Sequence, residues 1–225
     1  MNFFFFDLDG TLEDSRNDMV ASAQYVRAEL GLLPRSFEEL VPHVNKGMRE
    51  LYLNCFNDYV TQNQGHIDTL KLAETERLYL RNYENNIAVH TKLYPGIENL
   101  LRSGQKYGRI AVITNKPESL SKKLLASLGI ARFVDLVVGG DTCSEAKPSP
   151  VPLKYALDTL GGNRKTDNIF MIGDSQGDAK AGEAFGVATV WCGWGYQAQA
   201  PSQPPARYAA QSPHDLFEIL KISVS

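Results

Sequence analysis

Cysteine is scarce: Cys55, Cys143 and Cys192 are the only three in 225 residues. They are odd in number, far apart and never in a C-x-x-C pair, which excludes a disulfide framework and a zinc site and leaves buried thiols in a reducing compartment. Lysine- and arginine-rich runs are missing too. With a net charge of −3 and a pI near 5.8, the chain offers no basic footprint for nucleic acid. Long apolar runs are also absent. The densest one, at residues 3–6, has no positive residue before it and stops at Asp7, so neither a signal peptide nor a membrane span is expected. No G-x-G-x-x-G opens the first helix, no G-x-x-x-x-G-K-[ST] occurs, and no repeat with a period of about 20–50 residues is present. These absences leave a soluble cytoplasmic protein with no nucleic-acid or membrane partner.

What is present begins with MNFFFFDLDGTLEDS. Four consecutive phenylalanines are too few for a helix and suit a strand buried on both faces, with Asp7 marking where it leaves the core. By itself this reads equally as a core strand ending in an Asp-Gly turn at Gly10. At 43% hydrophobic residues the chain can bury a full core, and a prior of about 150 residues per domain allows one or two domains. From Asp14 or Ser15 as cap, helical spacing runs through Met19, Ala23, Val26 and Leu30 to Gly31, and further helical patterns at KGMRELYLNCF and TLKLAETERLYLRNYENN reach about residue 86. Beyond that point strands and helices alternate: RIAVITN, FVDLVVGGD, NIFMIGD and VATVWCGWG read as strands between helical segments. Such alternation means crossover units and a parallel sheet. The expected fold is α/β, a doubly wound parallel sheet formed by residues 1–14 and 91–225. A helical domain at 15–90 is inserted after the first strand. Residues 197–205 are expected to be a loop before a short closing helix.

In an open α/β sheet, ligands bind beyond the carboxyl ends of the strands. There the sequence places Asp7, Asp9 and Thr11; then Thr114, Asn115 and Lys116; then Gly173, Asp174, Ser175 and Asp178, with Lys147 ahead of a helix that Ser149 can cap and Pro150 can begin. Each has a plain alternative. Thr114 is a suitable helix cap, Lys147 a suitable surface lysine, and Asp174 and Asp178 suitable first-turn helix charges. Gathered at one edge, however, several carboxylates repel unless a cation sits among them. Oxygen ligands without His or Cys suit Mg²⁺, which keeps waters and takes a substrate phosphate. Adding Lys147, a threonine hydroxyl and the backbone amides near Gly10 makes a pocket for a tetrahedral dianion, and so suggests phosphoryl transfer.

D-L-D-G-T-L at 7–12, I-T-N at 113–115, K-P at 147–148 and G-D-S-x-x-D at 173–178 resemble, in order and spacing, the haloacid-dehalogenase-like hydrolase superfamily over nearly the whole chain. TNKPE, GGD, KPSPVPL and WGY resemble its phosphoglycolate phosphatase branch. The resemblance implies a phosphoric monoester hydrolase in which Asp7 is the nucleophile that becomes an aspartyl phosphate and Asp9 is the general acid and then base. It implies Mg²⁺ held by Asp7, the Asp9 carbonyl and Asp174, with Asp178, Thr11 and Ser175 in support. Gly10, Thr114, Asn115 and Lys147 would hold phosphoryl oxygens. Dehalogenases of the superfamily lack the second aspartate, so Asp9 argues for phosphate chemistry.

The inserted helices resemble the superfamily's mobile cap, with hinges expected near 13–16 and 90–95, and Lys46 and Arg49 as candidate contacts to a substrate carboxylate. Relatives often carry an apolar residue where Glu13 stands. It is expected to face solvent; turned inward, it would disfavour strongly anionic substrates. The implied substrate is a small phosphorylated metabolite, 2-phosphoglycolate among the candidates, and the protein a monomer or homodimer. A phosphomutase on the same scaffold and a broad-range sugar or nucleotide phosphatase are the enzymatic alternatives. A phosphoacceptor signalling domain is the non-enzymatic one, although receiver domains carry the acceptor in mid-chain and have no helical insertion.

Overall fold

A computed structural model describes residues 1–44, 47–62 and 65–223. The chain begins with β1 (Asn2–Phe6), β2 (Glu13–Asp14), α1 (Arg16–Glu29), α2 (Phe37–Val44), α3 (Met48–Cys55), α4 (Asn57–Val60) and α5 (Thr69–Asn85). It continues through β3 (Lys92–Leu93), α6 (Ile97–Gly104), β4 (Gly108–Ile113), α7 (Glu118–Ser127), β5 (Leu136–Val138) and α8 (Val151–Thr159). The last elements are β6 (Asn168–Gly173), α9 (Gln176–Phe185), β7 (Ala188–Cys192), β8 (Tyr208–Ala210) and α10 (Asp215–Ile219). These divide into two compact units, Met1–Asp14 with Lys92–Ser225, and Ser15–Thr91.

The first unit is built on a parallel sheet in the order β5-β4-β1-β6-β7-β8. Its centre answers why the sequence spends four phenylalanines in a row. β1 lies between β4 and β6, so both faces are covered and each successive ring enters a different layer. Phe3 and Phe5 pack with Ile113, Leu153, Leu157, Met171 and Phe185. On the other face Phe4 stacks on Phe170 with ring centroids 6.1 Å apart. Burying each ring contributes about 1.5–3 kcal/mol. Phe6 is level with Val112 and Ile172, so β1, β4 and β6 leave the core at one height. That register brings residues 7–9, 114–116 and 173–178 to a common edge.

The helical unit has its own core. α1 packs against α2 and α5, and Tyr79 of α5 meets the rings of Tyr52 and Tyr83 at 5.6 and 5.7 Å. Asp68 caps α5 by accepting from the amides of Leu70 and Lys71. Buried Asp18 accepts from the amides of His90 and Thr91 and from the Thr91 hydroxyl, tying the last residues of the unit to its first helix. Arg27 is fully buried. Its guanidinium donates to the carbonyls of Leu33 and Cys55 and, through two nitrogens, to the Asp58 carboxylate. Arg27→Met would keep the apolar stem but strand the buried Cys55 carbonyl and remove the donors to the part-buried Leu33 carbonyl and Asp58, so a loss of about 2–3 kcal/mol is expected in urea unfolding. An unchanged midpoint would show that the carbonyls find other partners.

Among the described residues, the elements α2, α4, β2, β3 and β8 were not expected. α2 contains Pro42, which discourages a helix, but Leu40 and Val44 on its buried stripe hold it in place. β2 and β3 are two residues each, too short to leave a periodic signal, and pair antiparallel. β8 adds a parallel edge strand just after the loop expected at 197–205. One expected start is also shifted: α8 begins at Val151 with Pro150 as its cap residue, while the Ser149 hydroxyl accepts from the Val151 amide at 3.3 Å. Among the described residues no helix is long and apolar enough to cross a membrane.

Candidate active site

At the carboxyl edge of the sheet, Asp7, Asp174 and Asp178 each bring a carboxylate oxygen within 4.8 Å of the others. Asp7 continues β1, and its amide donates to the Ile172 carbonyl at 2.8 Å, which carries the aspartate beside β6. Asp174 follows β6 directly. Its position is fixed from the β7 side: the Tyr196 amide donates to Oδ2 at 2.6 Å, and the Trp191 indole donates to its carbonyl at 3.2 Å. Asp178 is held by a capping box at the start of α9, in which Ser175 and Asp178 bond reciprocally. The helix-charge reading of Asp178 is therefore correct as far as it goes. The same carboxylate also accepts from Lys147 at 2.6 Å.

Lys147 is no surface lysine. Its side chain is 4% exposed, and Nζ lies 2.9 Å from Asp7 as well as against Asp178. Burial alone would lower its pKa, but the two aspartates outweigh burial and hold it above the ordinary lysine value. Burial raises Asp7 to about 8 against the pull of Lys147, with Asp178 and Asp174 adding to the rise. Burial and Asp178 raise Asp174 to about 7. One ammonium among three carboxylates leaves negative charge without a partner in a buried place. An all-oxygen donor set of this kind fits a hard divalent cation. Asp7 and Asp174 are the residues best placed to hold one, since both Asp178 oxygens are already engaged, Oδ1 by Lys147 and Oδ2 by the Ser175 amide and hydroxyl.

The turn after β1 closes on itself. The Gly10 amide, expected near a phosphoryl oxygen, donates to the Glu13 carbonyl at 2.9 Å, and the amides of Thr11 and Leu12 both return to Leu8. Gly10 serves by its shape: φ is +80°, and a Cβ there would overlap Asp174 Oδ2. Gly195 approaches from the other side, where a Cβ would overlap the Asp174 side chain and the Gly10 carbonyl. Thr11 is buried, and its carbonyl accepts from the Trp194 indole at 3.1 Å. Glu13, expected to face solvent, is 0% exposed, because β2 pairs with β3 and draws it inside.

The β4 end supplies the rest. Thr114 is buried but does not cap α7, whose cap residue is Pro117; its hydroxyl accepts the Lys116 amide at 3.2 Å. The Asn115 amide group, expected on phosphate, donates to the Lys147 carbonyl at 2.9 Å and so positions that lysine's loop. Lys116, placed at this edge from the sequence but given no role there, reaches Asp9 with its Nζ at 2.6 Å. Trp191, near the end of β7, and Trp194 and Tyr196, just after it, were given no role from the sequence, although the strand-end rule points to this edge as it does to the rest. Arg49 is exposed on α3, and Lys46 lies outside the described residues.

The model of the haloacid dehalogenase-like hydrolases matches residues 4–192, a span that includes Asp7, Asp9, Thr114, Lys116, Lys147, Asp174 and Asp178. The chain belongs to that family. Among similar proteins, the hydrolase is 33% identical over 221 residues to a phosphoglycolate phosphatase of Aquifex aeolicus, covering 98% of this chain and 97% of the relative. It is 35% identical over 219 residues to a phosphoglycolate phosphatase of Chromobacterium violaceum, covering 96% and 95%. A crystal structure of a predicted phosphoglycolate phosphatase from Haemophilus somnus 129PT superposes with a TM-score of 0.85 at 26% identity, covering 97% of each chain. The hydrolase thus falls in the phosphoglycolate phosphatase-like branch, as an enzyme on phosphoric monoesters.

Proposed function

We propose that the protein is a Mg²⁺-dependent phosphatase that hydrolyses a small phosphomonoester, with 2-phosphoglycolate as the leading substrate, through an aspartyl phosphate on Asp7. The observation that carries this reading is the buried Lys147 joining Asp7 to Asp178 beside Asp174. A cationic donor and clustered carboxylates at one point are what a phosphoryl dianion and its attacking carboxylate require. The relatives' shared name supports the substrate.

In the first half-reaction an Asp7 oxygen attacks phosphorus, the bond to the leaving oxygen breaks, and Asp9 gives that oxygen a proton. In the second, Asp9 takes a proton from water as the water oxygen attacks phosphorus, and the electron pair of the broken phosphorus–oxygen bond returns to the Asp7 carboxylate. Ester and water become alcohol and inorganic phosphate. Lys147 steadies the phosphoryl oxygens while Asp178 and Asn115 hold Lys147, and Thr114 adds a hydroxyl. When bound, Mg²⁺ held by Asp7, Asp174 and the Asp9 carbonyl supplies Lewis-acid neutralisation of the phosphoryl charge. The helical unit Ser15–Thr91 is proposed as the cap that selects the leaving group, with Lys46 and Arg49 as its candidate carboxylate contacts.

The test is kcat/KM for phosphate release across phosphorylated acids, sugars and nucleotides. Buried Glu13 makes neutral sugar phosphates a necessary comparison. We expect 2-phosphoglycolate to exceed the neutral esters by about tenfold or more, the value of one charge-assisted contact. A preference for sugar phosphates would overturn the substrate assignment.

A further inference from the structure

Lys116 has no part in the mechanism above, yet the fold spends a buried ammonium on it. Its side chain is 1% exposed, and Nζ lies 2.6 Å from Asp9 Oδ1. Such burial is tolerated only where a charge partner and good geometry compensate it. Its backbone is fixed at both ends, since its amide donates to the Thr114 hydroxyl and its carbonyl accepts from the Gly140 amide at 2.9 Å. A Cβ at Gly140 would overlap the neighbouring Asn115 carbonyl, so the two loops are in close approach here. The lysine is therefore presented to Asp9 from a rigid base. The two buried lysines divide the acidic groups: Lys147 takes Asp7 and Asp178, and Lys116 takes Asp9.

We propose that Lys116 is a positioning residue for proton transfer by Asp9. Its ammonium donates to Oδ1 and thereby assigns the transferable proton to Oδ2. In the first half-reaction that proton passes from Oδ2 to the leaving oxygen as the phosphorus–oxygen bond breaks; in the second, Oδ2 takes a proton from the attacking water. Without an ammonium at Oδ1, the two oxygens compete for the proton, and the productive one carries it for only part of the time. The inference rests on the proposed acid role of Asp9, and the experiment separates the two.

kcat/KM contains only the steps up to departure of the leaving group, so it isolates the first half-reaction. Esters of poor leaving groups need the proton, whereas p-nitrophenyl phosphate does not. Across a series of alkyl and aryl phosphates, Lys116→Met is expected to lower kcat/KM about 100-fold for the alkyl esters and under about 10-fold for p-nitrophenyl phosphate. The ratio between two esters in one sample is independent of how much of the variant is folded. Lys116→Arg, which keeps a cation, is expected to restore much of the wild-type ratio. Asp9→Asn serves as the reference and should give the same steepened dependence. If Asp9→Asn steepens it while Lys116→Met lowers every ester in proportion, Lys116 is a packing residue and the proposal is overturned. A flat response in Asp9→Asn removes the acid assignment, and this inference with it.

Discussion

Asp7→Asn is expected to release inorganic phosphate at least about 10⁴-fold more slowly than the wild type while melting no lower, since the substitution removes the nucleophile and little else. The amide is nearly the shape of the carboxylate, so the packing of β1 is undisturbed. It also removes one of three crowded carboxylates, while Lys147 keeps Asp178 as a partner at 2.6 Å. Acid quench of the wild type during turnover, followed by peptide mass analysis, should find one phosphoryl group on the segment containing residue 7. The same quench of Asp7→Asn should find none. Wild-type turnover in that variant, or an adduct on a different peptide, would end the covalent mechanism.

Removing divalent ions should be nearly as severe. Excess chelator is expected to abolish turnover, and Mg²⁺ at about 100 times its Kd should stabilise the protein by about 2.7 kcal/mol. For a chain of this size that is a rise in Tm of roughly 5–11 °C. The pH dependence has a definite sign. Asp7 and Asp174 are raised to about 8 and about 7, above the value near 3.9 that an unfolded aspartate has. Between those values the folded metal-free protein holds more protons than the unfolded chain. Its stability at these groups is therefore fully present below about pH 4 and falls as pH rises towards 8. The cation replaces those protons, so its increment in Tm should grow over the same range, and Asp174→Ala should lose most of it. Equal rates and equal Tm with and without chelator would remove the metal from the mechanism.

Most of the sheet and most of the site were legible in the sequence, for a shared reason. A strand buried on both faces is a continuous apolar run, and its last residue is followed at once by whatever the carboxyl edge requires; FFFF-D, IAVI-T and NIFMI-G-D all show that junction. What was not legible depends on contacts between distant segments. Lys116 in TNKP is legible as a strand-end residue, but its partner is not, because Asp9 lies 107 residues away. Glu13 is drawn inside by β2, a strand of two residues whose partner lies almost 80 positions on. The Gly10 amide, expected near a phosphoryl oxygen, instead donates to the Glu13 carbonyl three residues on, a turn closure that the sequence does not show. Asn115 has the chemistry to bind phosphate, but the Lys147 carbonyl is the acceptor within its reach.

The loop after β7 has a practical consequence. The protein has two tryptophans, and their indole N–H groups end on the carbonyls of Asp174 and Thr11. Both fluorophores are thus wired to the backbone that shapes the acidic centre. Their ultraviolet emission is an intrinsic gauge of events at that centre, and titrations or stopped-flow mixing can follow it with no dye attached.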